Sequence, residues 1–270
     1  MHRKRLNDLV RKNDVLYFAG APYTGQAYAI TGQGIVGHIY DVEVGIIAGN
    51  SIDMLPLPDR KDSLRVDGDI LDYSGYEDAL YMNKGFSGVA YSFEQAELVD
   101  ESSFIDGLSR RDSREWYISG RPQAIASVNG STRWYEDGSI AEKSINKDKL
   151  RVYSINTDGP NKLRWLTLTD QYDSDPCVLE TFGLSQRLAL DGNRINDQVL
   201  TILEQKKDFD NITTLDISDS SITNQKIANI NLENIKALHL SDNKYINLET
   251  LYGLKKKYPH CEIRVDDKYL

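Results

Sequence analysis

Only two cysteines, Cys177 and Cys261, occur in 270 residues. That is too few for a disulfide framework, so both are expected to be buried thiols in a reducing compartment, the cytoplasm. No segment approaches the ~20 apolar residues of a membrane-spanning helix. The opening MHRKRLNDLVRKND is basic but no apolar run follows it, so no secretion signal is expected. Four histidines, His2, His38, His239 and His260, are scattered, with no pair four apart and no cysteine at zinc-ligand spacing; neither a metal nor any other cofactor is expected. Nucleophile-elbow and phosphate-loop motifs are missing, and with 41 acids in the chain any two chosen as a hydrolytic dyad would be arbitrary. GQGIVG at 32–37 has the glycine spacing of a dinucleotide loop, but no long helical pattern follows and no acid sits near the ribose position, so it reads as a turn. These absences point away from an enzyme.

Positive charge is also scarce. With 32 Lys+Arg against 41 Asp+Glu the formal net charge is −9, which disfavours nucleic acid, since phosphate contacts need clustered bases. Anionic lipid would need a polybasic patch, so a membrane is not the expected partner either. An acidic chain suits a basic protein partner. The acids concentrate in VDGDILDYSGYED at 66–78, where Asp67, Asp69, Asp72, Glu77 and Asp78 accompany Tyr73 and Tyr76 without a base. Those seven residues are candidate partner contacts, the carboxylates for steering and the tyrosines as anchors.

What is present in the first half is repetition. LYFAGAPYTGQAY at 16–28 is echoed by LYMNKGFSGVAY at 80–91, one residue shorter. Both carry Leu-Tyr, then an aromatic–hydroxyl–Gly triplet (Tyr23-Thr24-Gly25 and Phe86-Ser87-Gly88), then Ala-Tyr. A terser unit, W-Y-x-x-G, occurs at 116–120 and again at 134–138. Short aromatic and β-branched stretches broken by Gly predict successive β-hairpins, because glycine accepts the positive φ of tight turns. Trp116 and Trp134 then either pack within the sheet or contact a partner.

After LRVYSINTDGPNKL at 150–163 the pattern changes. Five segments carry two aliphatics separated by one position: Leu166/Leu168, Leu188/Leu190, Leu215/Ile217, Leu238/Leu240 and Ile263/Val265. Asn193 and Asn243 stand three residues beyond the second aliphatic of their segments, with Gln171, Ser220 and Lys268 at that place in the others. A buried Asn there would satisfy backbone groups of the following turn. Between the segments lie helical patterns, NDQVLTILEQKKDF at 196–209 with Val199, Leu200 and Leu203 on one face, and another at 246–263 that Pro259 stops. Residues alternating with the aliphatics face outward, among them Trp165, Asp191, Asp216 and His239. Trp165 is either an interface anchor or buried against the first half.

The hairpin phrases, over residues 16–145 with 50–75 departing from the pattern, resemble MORN repeats in the variant found in bacterial antitoxin and immunity proteins. The second half, with its L-x-L-x-x-N wording, resembles leucine-rich repeats. Together the resemblances imply a β-rich MORN-like hairpin-repeat sheet at 1–149 followed by an α/β leucine-rich-repeat solenoid at 150–270. They imply an immunity protein or antitoxin that binds and sterically neutralises a cognate, basic toxin and is monomeric when free. The alternative is a membrane-associated or general protein-interaction scaffold; an effector acting through its leucine-rich repeats ranks last.

Overall fold

A computed structural model of the chain describes residues 1–51, 54–74, 78–147, 150–169, 179, 181–266 and 268–269. It is β-rich, with few helices. Contacts divide it into two units, Met1–Val128 with Glu136–Gly138, and Asn129–Tyr135 with Ser139–Leu270.

In the first unit the repeated phrase is a repeated structure. His2–Arg5 pairs in parallel with Gly25–Ile30, and Leu64–Asp67 pairs in parallel with Gly88–Glu94. Each pair is followed by an antiparallel strand, Val36–Glu43 in one copy and Glu97–Ile105 in the other. The copies interlock: Lys4 pairs with Glu97, and the equivalent Val66 bridges to the equivalent Ile35. Six strands thereby lie side by side around a ring, one of whose links is the single bridge of Val66 to Ile35, just before the strand Val36–Glu43.

The opening Leu-Tyr does not superpose, since the Tyr23 N–H donates to the Leu16 carbonyl and the Phe86 N–H to that of Ala79, so Ala79 and not Leu80 takes the place of Leu16; the remaining letters keep their physical tasks. The aromatic, Tyr23 or Phe86, fills a satellite core, with Leu9, Leu16 and Val42 in one copy and Leu71, Ala79 and Phe104 at the same places in the other. The hydroxyl caps a tight turn: Thr24 Oγ1 accepts from the Val44 N–H at 3.0 Å, and Ser87 Oγ from the Asp106 N–H at 3.0 Å. The glycine lets the parallel strand approach. A Cβ at Gly25 would sit 2.2 Å from the His2 carbonyl oxygen, and one at Gly88 would sit 2.0 Å from that of Leu64. Tyr28 and Tyr91, the last letters, meet in the central core with ring centroids 5.2 Å apart, where aromatic pairs add to the area they bury.

The W-Y-x-x-G phrases sit where hairpins were expected. The first closes the strand Leu108–Trp116 and turns into Pro122–Ser127, and the second closes Gly130–Trp134 and turns into Ile140–Lys147. In both turns the Tyr N–H donates four residues ahead, Tyr117 to Arg121 and Tyr135 to Ser139. GQGIVG is likewise a turn, with Gly34 at φ +77°.

The second unit contains one hydrophobic core running from Tyr153 to Ile263. Three antiparallel strands, Ile140–Lys147, Leu150–Thr157 and Lys162–Leu168, lead into a parallel series: Gly183–Asp191, Thr214–Ser218, Ala237–Ser241 and Glu262–Val265. In that series Leu188, Leu215, Leu238 and Ile263 are in register, as are Leu190, Ile217, Leu240 and Val265. The first aliphatic pair does not follow. Leu166 lies opposite Leu190 and not Leu188, because a shift between Leu163 and Trp165 slides the strand. Helices Asp197–Glu204 and Leu248–Lys257 form where the patterns predict them, each capped by the preceding Asn, Asn196 or Asn247, whose side chain accepts first-turn N–H groups. The turn asparagines differ from expectation. Asn193 is exposed, whereas Asn243 is half-buried, accepts from the Ser220 backbone and hydroxyl, and donates to the Ile217 carbonyl at 2.7 Å. Gln171 lies outside the described residues.

Candidate functional site

The predicted acidic stretch is only partly a surface. Asp67 is 7% exposed and forms an ion pair with Arg5, Nε to Oδ2 at 2.9 Å. Asp69, more exposed, shares the same guanidinium at 2.5 Å. Asp72, Tyr73 and Asp78 are exposed, and Tyr76 and Glu77 lie outside the described residues. Trp116 is 7% exposed and packs in the central core with Arg3 over its ring at 4.4 Å. Trp134 is half-buried.

The first unit has an open groove of about 530 Å³ that sequence reading missed. Glu94, Asp100, Glu115 and Glu136 line it with Trp116, Tyr117 and Ile118, and among the described residues no Lys, Arg or His does so. Asp100 faces Glu115 on the neighbouring strand. Burial pushes the Asp100 carboxyl up to about 6; the Ser102 hydroxyl, donating to it at 2.9 Å, works against that, while Glu115 and Glu101 add to it. Burial also raises the Tyr73 hydroxyl, with the Asp100 charge as a further cause. A counting rule from the Asp106-Gly107 turn would have set Asp100 opposite Ser113. An irregularity between Ser102 and Phe104 shifts the register and brings Glu115 there instead.

In the second unit the predicted residues Trp165, Asp191, Asp216 and His239 share one face of the sheet. Glu142 lies opposite Asn156, Asn156 opposite Trp165, and Trp165 opposite Ala189. The row continues through Asp216 and His239 to Arg264, and Arg133 begins it beside Glu142. A second row, two residues along each strand, is made of small hydroxyl residues and one acid: Ser144, Ser154, Thr167, Asp191, Ser218 and Ser241. Trp165 is 47% exposed, and its Nε1 donates to Thr167 Oγ1 at 2.9 Å, which fixes the ring. Around it is a hollow of about 390 Å³ lined by Glu142, Ser154, Asn156 and Arg164. Further along, His239 Nδ1 lies 3.8 Å from Asp216 Oδ2. The Asp191 carboxyl is raised, first by burial and then by Asp219 and Asp216.

Cys261 is a buried thiol, pushed up by burial; Cys177 lies outside the described residues. Among the described residues no group of three or more His, Cys, Asp or Glu could hold a metal ion. No helix among them is long and apolar enough to cross a membrane. No protein-family model matches the chain, and no curated protein matches it.

Proposed function

We propose that the chain is an immunity protein or antitoxin that neutralises a toxin by occupying a basic surface around its active cleft. On this reading the hairpin phrases form a MORN-like repeat sheet and the parallel series is a leucine-rich-repeat solenoid. The observation that carries it is the groove of the first unit, lined by four acidic residues with Trp116 and Tyr117 and, among the described residues, by no base. Ionising half-buried Asp100 opposite Glu115 is costly. A Lys or Arg from a partner relieves that cost, so the groove favours a basic surface over a neutral one. Opposite potentials also raise the encounter rate, in keeping with a net charge of −9. Exposed Tyr73 supplies an anchor.

Co-expression with candidate toxin domains, the product of the adjacent open reading frame first, tests the reading. Growth rescue and a co-purifying complex are expected, and the pair Asp100→Lys/Glu115→Lys should abolish both. A bound base lowers the Asp100 carboxyl from about 6, so affinity should weaken as pH falls through that value. Rescue without a complex, or a complex indifferent to the charge reversal, would sink this assignment.

A further inference from the structure

We infer that the sheet face of the second unit is a binding site for a partner α-helix carrying a basic, an apolar and a basic residue at seven-residue spacing. The inference rests on the reading above only in taking the chain to be a protein-binding molecule.

The register of the strands carries it. Along one row Trp165 lies two strands from Glu142 and two strands from Asp216, with Asn156 and Ala189 between. Neighbouring strands are ~4.8 Å apart, so each carboxylate is about 10 Å from the indole along the row. Arg133 lies one strand beyond Glu142, and Arg264 two beyond Asp216. The face therefore reads positive, negative, aromatic, negative, positive.

An α-helix rises 1.5 Å per residue, so positions i, i+7 and i+14 are about 10.5 Å apart and share one side. An extended strand covers ~10 Å in three residues, which turns alternate contacts to opposite faces. Helix spacing thus matches the row and strand spacing does not. The second row is mostly Ser and Thr, with Ser144, Ser154 and Thr167 buried, so its short side chains leave room for a helix beside the first. Ala189, opposite Trp165, is equally small.

The centre selects an apolar residue. Trp165 is exposed and held by Thr167, so little conformational freedom is lost when it is covered. Arg164 at the margin of the hollow repels a base placed on the indole. The bases of the partner are accordingly directed outward, to Glu142 and Asp216.

Fluorescence anisotropy with the full chain tests the site, using an alanine-rich helical peptide with Lys, Leu and Lys at seven-residue spacing. A peptide of the same composition at five-residue spacing separates register from net charge. The first should bind, the second about tenfold or more weakly. Trp165→Ala should cost about tenfold. The pair Glu142→Lys/Asp216→Lys should lose the Lys peptide and gain a Glu–Leu–Glu counterpart, which a variant that fails to fold would not do. Equal binding of both spacings, or no exchange of preference in the charge-reversed pair, overturns the site. If the chain neutralises a toxin while the seven-spaced peptide fails, the helix site falls and the function stands. Row-dependent peptide binding without any toxin partner leaves the helix site standing and removes the function.

Discussion

Lys4 is 2% exposed, with its Nζ 2.7 Å from Glu97 Oε1 and 3.4 Å from the centre of the Phe18 ring. At the equivalent place in the other copy the pair is Val66 and Ile35, both apolar. The molecule thus performs one closure with an ion pair and the other with hydrocarbon. Removing one partner of a buried pair strands the other charge, which costs about 3–5 kcal/mol, whereas replacing both by packed apolar groups is often neutral. Lys4→Val alone should therefore lower stability by about that amount in urea unfolding. Lys4→Val/Glu97→Ile should recover most of it, the remainder reflecting the other contacts of Glu97, the Arg3 N–H that donates to it at 3.1 Å and His2 Nδ1 at 3.0 Å. A double variant no more stable than the single one would contradict the copy-to-copy equivalence.

At the scale of elements, Gly88 has φ +153° and lies against the Leu64 carbonyl. Gly88→Ala should force the two parallel strands apart and cost at least ~2 kcal/mol in the same measurement, through strain and a lost ladder bond. Gly159, also at positive φ but with open space around it, should tolerate alanine better, paying only for the backbone conformation. This difference also marks how far the sequence was legible. The echo of Tyr-Thr-Gly and Phe-Ser-Gly revealed a duplication, because turn and core residues are chosen locally. The pairing of His2–Arg5 with Gly25–Ile30 was hidden, because parallel partners across a crossover leave no periodic trace in either strand. Helix Asp197–Glu204 was readable from Val199, Leu200 and Leu203. The register of Leu166 against Leu190 was not, since one irregularity shifts a strand without altering its alternation.

Across the whole molecule, surplus acid shapes both stability and site. The Asp100 carboxyl sits at about 6, above its ordinary 3.8. A carboxyl raised on folding contributes stability below its unfolded value, and that contribution is lost as pH rises through the folded one. Asp100 therefore contributes more stability at pH 4 than at pH 7. Asp100→Asn should flatten the pH dependence between about 4 and 6 and stabilise the protein at pH 7 by about 1–3 kcal/mol. Thermal melts across that range read it directly, and an unchanged profile would remove Asp100 from the account. Of the two surfaces, the face with Trp165, Asp191, Asp216 and His239 was foreseeable from alternation along strands. The groove was not, because the meeting of Asp100 and Glu115 depends on an irregular pairing, and the expected acids at 66–78 include Asp67, which Arg5 takes inside.

The strand at His2–Arg5 is made well before the strand that completes it. Its contact at Glu97 spans most of the first unit, so during synthesis that edge waits, open to any other strand, until the residues up to Glu97 have followed it. The chain's own order of emergence thus sets a window for mispairing, and the ring shuts it only when the second copy arrives.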